Sequence, residues 1–392
     1  MQPPTKGAVI MGIDPAYRTG CKVAVIDETG KLLDYTTVYP TEPQNKIEEA
    51  KKVLKRLIAE YNVSIIAIGN GTASRETELV VAQMINEIDA DISYTIVNEA
   101  GASVYSASEV GQADFPELDV SIRGAISIAR RLQDPLAELV KIEPKHIGVG
   151  QYQHDLNQKK LEEALKGVVE DCVNTVGVDL NTASPSLLQY VAGISHRLAL
   201  NIIQYREKGG KFRNRDELLK VKGLGPKTFV QCAGFLRITD GDNPLDNTAV
   251  HPESYEIAQY LFGKDLEKLD LEQLSKELHV GIWTLKDIVE ELKKPGRDPR
   301  DGMPKPIFRK DILNIEDLKP NMVLTGTVRN VVDFGAFVDI GVKQDGLIHI
   351  SQLSKEYISH PKEVLKVGDI IQVKVLDIDV KRGRISLSMK DV

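Results

Sequence analysis

The chain has 392 residues, a formal net charge of −7 and 42% hydrophobic residues. This length predicts roughly two to four domains, and no apolar run approaches the ~18 residues of a membrane-spanning helix. The three cysteines, Cys21, Cys172 and Cys232, are too far apart for a zinc-binding motif. The sequence therefore excludes a disulfide scaffold and a zinc finger, and we expect a cytoplasmic protein with reduced thiols.

The negative charge is unevenly distributed along the chain. Residues 183–238 carry 10 Lys and Arg against 3 Asp and Glu, whereas residues 239–300 carry 8 against 14. Residues 319–392 have a slight basic excess, 11 against 9. Because screening confines electrostatic attraction to ~8–10 Å, the basic block at 183–238 can attract phosphates although the whole chain is acidic.

Residues 6–135 predict an α/β domain. Three short strands are expected within residues 8–38, followed by a helix at about 43–60, two further helix and strand segments, and a last helix at 121–132. The strand at 64–69 is apolar throughout, as is typical of a buried parallel strand. Three antiparallel strands followed by alternating helices and parallel strands is the order of the ribonuclease H-like fold.

Two stretches of this domain are Gly12-Ile13-Asp14-Pro15 and Asn98-Glu99-Ala100-Gly101. They resemble the YqgF branch of that fold, which is related to RuvC-type Holliday-junction resolvases. In active relatives, carboxylates at these positions hold divalent metals, and two metals can stabilise the attacking and leaving oxygens of a phosphodiester. The resemblance implies that Asp14 and Glu99 are candidate catalytic residues and metal ligands, with Mg²⁺ or Mn²⁺ as the cofactor only if the domain is a nuclease.

The last helix of the domain departs from the active pattern. Between Ser121 and Arg131 it carries arginines and serines where resolvases have carboxylates, and Asn70 rather than an acid follows the strand at 64–69. We therefore expect a domain that is retained for binding or structure and requires no cofactor. A metal-dependent, structure-specific nuclease is the alternative.

Residues 151–240 predict a helical domain with an internal repeat. Val191-Ala192-Gly193-Ile194-Ser195 recurs thirty residues later as Val221-Lys222-Gly223-Leu224-Gly225, and both have the form of a helix-hairpin-helix turn. Glycines let the backbone approach a phosphate, and the next helix N-terminus presents free N–H groups. The candidate nucleic-acid-binding residues are Gly193, Arg197, Lys222, Gly223, Gly225 and Lys227. We expect sequence-independent contacts to the backbone; the alternative is a packing module without a ligand.

Residues 241–318 predict an acidic helical connector that ends in a linker. Four prolines lie between Pro295 and Pro306, which is typical of a semi-rigid linker. Trp283, the single tryptophan of the chain, is expected in the core of the connector. No chemistry is predicted for this segment.

Residues 319–392 predict a five-stranded OB barrel. The segments 332–338 and 346–353 closely match the S1 type of RNA-binding domain. Phe334, Phe337 and His349 are expected on one face of the barrel, where bases of single-stranded RNA can stack at roughly 1–3 kcal/mol per base. Lys374 and Arg384 are expected to contact phosphates. A barrel that serves only protein contacts is the alternative.

The order of these domains resembles the C-terminal portion of the Tex family of bacterial transcription accessory proteins, whose members carry a helical region before the YqgF-like domain. Residues 148–155 add to the resemblance. It implies a multidomain α/β, α and β architecture and a nucleic-acid-binding transcription accessory protein without catalysis. The expected partners are single-stranded RNA, DNA and the transcription or translation machinery, but no membrane. A scaffold whose acidic connector binds a polymerase or a ribosome is a further alternative.

Overall fold

The structure is a computed structural model. It describes residues 2–148, 153–310, 318–342, 344–355, 358–379, 382–390 and 392. Residues 149–152, part of the stretch at 148–155 noted above, lie outside the described residues. No helix in the described ranges is long and apolar enough to cross a membrane.

The N-terminal domain is a five-stranded sheet with strand order β3-β2-β1-β4-β5, in which β1–β3 are antiparallel and β4 and β5 run parallel to β1. This is the predicted ribonuclease H-like order. Its elements are β1 (Ile10–Asp14), β2 (Cys21–Ile26), β3 (Leu32–Val38), α1 (Ile47–Tyr61), β4 (Ile65–Gly69), α2 (Ser74–Asn86), β5 (Ser93–Val97), α3 (Ala102–Ala107), α4 (Glu109–Asp114), α5 (Val120–Gln133) and α6 (Pro135–Leu139).

Alternation along the strands gives this sheet two buried faces. On β1, Met11 and Ile13 pack in the cluster formed with α1 and α2, whereas Ile10 packs in the cluster formed with α5. The helix predicted from residue 43 begins only at Ile47, because Asn45 lies in the left-handed region at φ 49° and cannot belong to a right-handed helix.

The helical domain and the connector form two further hydrophobic clusters. Their elements are α7 (Gln158–Val176), β6 (Val178–Asp179), α8 (Pro185–Leu188), α9 (His196–Gly209), a 3₁₀ turn (Arg215–Lys220), α10 (Pro226–Cys232), β7 (Leu236–Arg237), α11 (Tyr255–Leu261), α12 (Leu271–Glu277) and α13 (Ile282–Lys293). The fully buried Arg215 joins the two clusters, since its guanidinium donates to the carbonyl oxygens of Leu236, Thr248 and Val250 at 2.6–2.7 Å.

The prediction that Trp283 is a core residue is wrong. Its side chain is 74% exposed. The buried face of α13 consists of Leu285, Ile288 and Val289, and Trp283 lies two residues before Leu285. At 3.6 residues per turn, a displacement of two residues places it on the opposite side of the helix.

The C-terminal domain is the predicted five-stranded barrel. The strands β8 (Val323–Val332), β9 (Gly335–Asp339), β10 (Gly346–His349), β11 (Ile370–Asp379) and β12 (Arg384–Ser388) close in the order β10-β12-β11-β8-β9. Buried Val338, Ile348 and Leu387 belong to its core. The multidomain α/β, α and β architecture is therefore confirmed.

The linker between the connector and the barrel is attached to the N-terminal domain. Arg309 forms an antiparallel bridge with Tyr94 of β5, with both N–H···O distances at 2.8 Å. Its guanidinium lies 3.8 Å from the Glu78 carboxylate and 3.7 Å from the Asp339 carboxylate. One linker residue thus contacts the edge of the sheet and strand β9 of the barrel at once.

Candidate functional sites

The two predicted carboxylates lie close together at the carboxyl ends of two parallel strands. Asp14 is the last residue of β1, and Glu99 follows β5. Burial, together with the nearby charge of Glu99, raises the pKa of Asp14 to about 6, while Lys22 opposes that shift. Burial also raises the pKa of Glu99. The structure therefore places these two predicted residues in one site, where they repel each other when both are ionised.

The Glu99 carboxylate rests on the turn after β4. A Cβ atom at Gly69 or at Gly71 would overlap its oxygens, so glycine at both positions allows the close approach. The Gly71 N–H donates to Glu99 and opposes the rise of its pKa, and Asn70 Oδ1 accepts from the Glu99 N–H at 3.0 Å. Within the described residues Glu99 Oε2 is buried without a hydrogen-bond partner.

Two buried cations face this carboxylate pair, and the sequence analysis noted the arginines of α5 but missed Lys22. Lys22 lies directly opposite Asp14 in the β1–β2 register, and its ammonium donates to the carbonyl oxygens of Thr19 and Gly20 at 2.6 and 2.8 Å. Arg131 of α5 is 5% exposed, and its charge lowers the pKa of Glu99 against the effect of burial. The sequence signal for Lys22 is its position between the apolar strand residues Cys21 and Val23.

The position from which α5 faces Asp14 is a glycine. A Cβ atom at Gly124 would lie 2.7 Å from Asp14 Oδ2, so the helix packs too closely for a third carboxylate at this point. The described residues contain no group of three or more His, Cys, Asp or Glu side chains arranged to hold a metal ion. Two carboxylates beside Lys22 and Arg131 do not fit the donor set of a two-metal nuclease, which needs additional oxygen ligands and open coordination positions.

The two hairpins are related by an approximate internal symmetry. Gly193 and Gly223 both have left-handed backbones, at φ 79° and 89°, which favour glycine. Each hairpin is contacted by the helix that follows the other: Gln231 lies against Gly193, and Asn201 Nδ2 donates to the Lys222 carbonyl at 2.8 Å. Asn201 and Gln231 are thirty residues apart, which is the period of the repeat.

The two hairpins differ in how open their backbones are. In the first, the Ala192 N–H donates to Asn174 Oδ1 at 3.1 Å, and a Cβ atom at Gly193 would lie 2.9 Å from Gln231 Oε1. In the second, no atom of the described residues beyond the chain neighbours lies within 4 Å of the Cβ position of Gly225, and the nearest to that of Gly223 is Asn201 Nδ2 at 3.8 Å. The second hairpin is therefore the more accessible one. All six predicted hairpin residues, namely Gly193, Arg197, Lys222, Gly223, Gly225 and Lys227, are exposed.

The outer face of the barrel carries the predicted aromatic residues. Phe334, which is 52% exposed, meets Phe337 edge to face with ring centroids 6.2 Å apart. His349 lies opposite Gly335 in the β9–β10 register and is exposed. The same register sets Leu347 opposite Phe337, and the β8–β9 register sets Asn330 opposite it. Sequence analysis missed Leu347 and Asn330, whose places are defined only by strand pairing.

The two predicted basic residues of the barrel lie at different ends of this face. Lys374 of β11 is half-buried and pairs with Ser388, whereas exposed Arg384 pairs with Asp379. On β12, Ser386 lies between Arg384 and Ser388 and pairs with Leu347 of β10. Lys374 and Arg384 therefore flank the row formed by Phe337, Leu347 and Ser386.

Family comparisons match every domain in turn. The Tex protein YqgF-like domain matches residues 8–133, and the helix-hairpin-helix motif matches residues 173–237. A second family, described as an HHH domain, matches residues 243–300, which we had predicted only as a connector. The S1 RNA binding domain matches residues 317–390. The chain belongs to the Tex family.

Relatives of this Tex family member occur in bacteria and in humans. Protein YdcI of Bacillus subtilis is 55% identical over 99% of this chain and 56% of its own length. The transcriptional accessory protein Tex of Neisseria gonorrhoeae is 51% identical over 97% of this chain and 51% of its own. The human S1 RNA-binding domain-containing protein 1 is 42% identical over 98% and 46%. The chain thus spans about half the length of these relatives.

Proposed function

We propose that the chain binds single-stranded nucleic acid, and RNA in particular, on the outer face of β9 and β10 during transcription, without catalysis. The observation that carries this proposal is the aromatic pair of exposed Phe334 and half-buried Phe337 on the barrel surface. Aromatic rings exposed on a barrel surface can stack on bases, and because every base has a π-face, this stacking tolerates any sequence. His349 and Leu347 extend the same surface.

The second hairpin supplies a second point of contact. Lys222 and Lys227 are exposed beside the open backbone of Gly223 and Gly225. Residues 183–238, with 10 basic against 3 acidic side chains, provide the long-range attraction for phosphates. Because phosphate contacts release counterions, binding should weaken steeply as salt increases.

The names of two relatives support the biological setting. One is called a transcriptional accessory protein and another an S1 RNA-binding domain-containing protein. Because this chain spans only about half of each relative, we propose its partners rather than take them from these names. They are single-stranded RNA and DNA, together with the transcription or translation machinery.

The absence of catalysis is the second part of the proposal, and it includes independence from a metal cofactor. Lys22 and Arg131 supply positive charge beside Asp14 and Glu99, and α5 faces Asp14 with Gly124 rather than with an acid. We expect no cleavage of branched DNA in the presence of Mn²⁺. Cleavage that is lost in Asp14→Asn would establish the nuclease alternative instead.

Filter binding to oligouridylate at two salt concentrations tests the binding proposal. We expect Phe337→Ala to weaken binding at both concentrations, because it removes stacking, and Lys222→Glu to weaken it mainly at low salt. Lys31→Glu, an exposed lysine on the N-terminal domain, is the matched charge control. Affinity that is unchanged in the Phe337→Ala, Lys222→Glu double variant would refute the proposal.

A further inference from the structure

The connector contains a third turn with the geometry of a helix-hairpin-helix unit. Helix α12 ends at Glu277, His279 adopts a left-handed backbone at φ 52°, and Gly281 precedes α13. In the second hairpin Gly223 is the left-handed residue and Gly225 precedes the helix. His279 and Gly281 therefore correspond to Gly223 and Gly225.

This correspondence aligns the side chains that flank the turns. The second residue after the turn is Arg197 in the first hairpin and Lys227 in the second, and both are exposed. In the third hairpin it is Trp283, which is 74% exposed. The residue before the left-handed position is Lys222 in the second hairpin and Leu278 in the third. Apolar side chains thus replace the cations with which a hairpin attracts phosphate.

The charges around Trp283 are also unlike those of a phosphate site. Asp287 and Glu290 follow it by four and seven residues, so all three share one side of α13. Both carboxylates are exposed, and neither has a basic partner within 4 Å in the described part of the chain. Lys286 lies over the Trp283 ring at 5.7 Å from its centroid. The surface is therefore an exposed aromatic side chain followed by a row of negative charge.

The fold of the connector does not require this tryptophan. Leu285, Ile288 and Val289 already fill the buried side of α13, and exposing a large apolar side chain contributes no burial free energy to the monomer. Trp is also enriched among residues that dominate protein–protein binding energies. Burial against a partner would supply this free energy, and the two carboxylates beside Trp283 have no basic partner among the described residues.

We infer that the third hairpin is a protein-docking surface, on which Trp283 anchors a basic, amphipathic segment of a partner protein while Asp287 and Glu290 attract its lysines or arginines. A basic segment is favoured because its charge is opposite to that of Asp287 and Glu290. Nucleic acid is disfavoured here because residues 239–300 carry 14 acidic against 8 basic side chains and would repel a polyanion.

The single tryptophan makes the inference directly measurable on the full chain. Emission from Trp283 is followed while a helical peptide of alternating leucine and lysine blocks is added, and a leucine–glutamate peptide of the same length serves as the control. We expect a saturable blue shift with the lysine peptide only. Anisotropy of the labelled lysine peptide should show roughly tenfold weaker binding to Asp287→Lys with Glu290→Lys, since like charges then face each other.

Glu256→Lys with Glu267→Lys is the matched control, because both residues are exposed acids elsewhere in the connector. These substitutions should leave peptide affinity unchanged, as should Phe337→Ala in the barrel, which separates this inference from the proposed RNA binding. Equal loss in the two charge-reversal pairs would refute a specific site. A shift of emission with oligouridylate, or with protein concentration alone, would assign the surface to nucleic acid or to self-association instead.

Discussion

The carboxylate pair of the N-terminal domain and the aromatic pair of the barrel are both candidate sites, but their surroundings differ. Asp14 and Glu99 are accompanied by two buried cations and by a helix that packs against Asp14. Phe334 and Phe337 contact each other and solvent. The first site receives positive charge from within the domain, although burial still raises the pKa of both carboxylates. The second site exposes apolar surface that a ligand can bury. A family motif must therefore be judged by the charges, the packing and the solvent exposure around its residues.

The largest expected effect separates binding from stability at the barrel. Phe334→Ala combined with Phe337→Ala removes two stacking platforms, which at 1–3 kcal/mol per base should cost about 3 kcal/mol or roughly a hundredfold in RNA affinity. Because Phe334 is 52% exposed and half-buried Phe337 lies outside the hydrophobic core of the barrel, the free energy of unfolding should change much less. Filter binding and urea unfolding on the same preparations measure the two effects. A comparable loss of stability would mean that the pair is structural.

The next largest effect is expected at the carboxylate pair, where a substitution should change the stability of the protein but not its RNA affinity. The pKa of Asp14 is raised to about 6 from an ordinary 3.8, so the folded chain binds more protons than the unfolded chain between these values. The free energy of unfolding therefore falls as pH rises from about 4 to about 6. Asp14→Asn removes this loss and should stabilise the protein at pH 7 by up to about 3 kcal/mol.

Urea unfolding at several pH values checks this expectation, and RNA affinity should stay unchanged. Asp27→Asn provides the opposite case. Hydrogen bonds from Thr29 and Lys31 lower the pKa of Asp27 against the effect of burial, so its contribution is present above the ordinary pKa and is lost as pH falls. An Asp14→Asn protein that is less stable at pH 7 than the parent would contradict the raised pKa of Asp14.

A smaller effect is expected when the cation opposite Asp14 is removed. Lys22→Met leaves two carbonyl oxygens without their charged donor and Asp14 without its nearest positive charge, which should cost about 2 kcal/mol of stability. The pKa of Asp14 should rise above about 6, detectable by NMR titration of its carboxyl carbon. Lys31→Met on the exposed turn is the control. An unchanged pKa would show that Lys22 does not compensate the pair.

The parts of the molecule that carry a local sequence signature could be predicted from sequence. Helix α7 spans Gln158–Val176, and these limits follow from the sequence because the apolar residues have regular helical spacing and a glycine follows them. The hairpin glycines and the aromatic residues of the barrel belong to short motifs whose geometry depends on neighbours in the chain. For these elements the local pattern and the tertiary structure agree.

Features that depend on pairing between distant segments could not be predicted in this way. Lys22 faces Asp14 only through strand register, Gly124 reaches it through the packing of α5, and Gln231 lies against Gly193 through the symmetry of the hairpins. Trp283 was misplaced for a different reason. The core prediction follows from residue type alone, whereas the helical periodicity of Leu285, Ile288 and Val289 places Trp283 on the solvent-exposed side of α13.

The bridge between Arg309 and Tyr94 has a consequence for solubility. Strand β5 is an outer strand of the open five-stranded sheet, and an unpaired outer strand can recruit strands from other molecules. The linker occupies hydrogen-bonding groups of Tyr94 and brings a charged side chain to that edge. We therefore expect the segment that tethers the barrel to hinder strand addition to β5 at Tyr94.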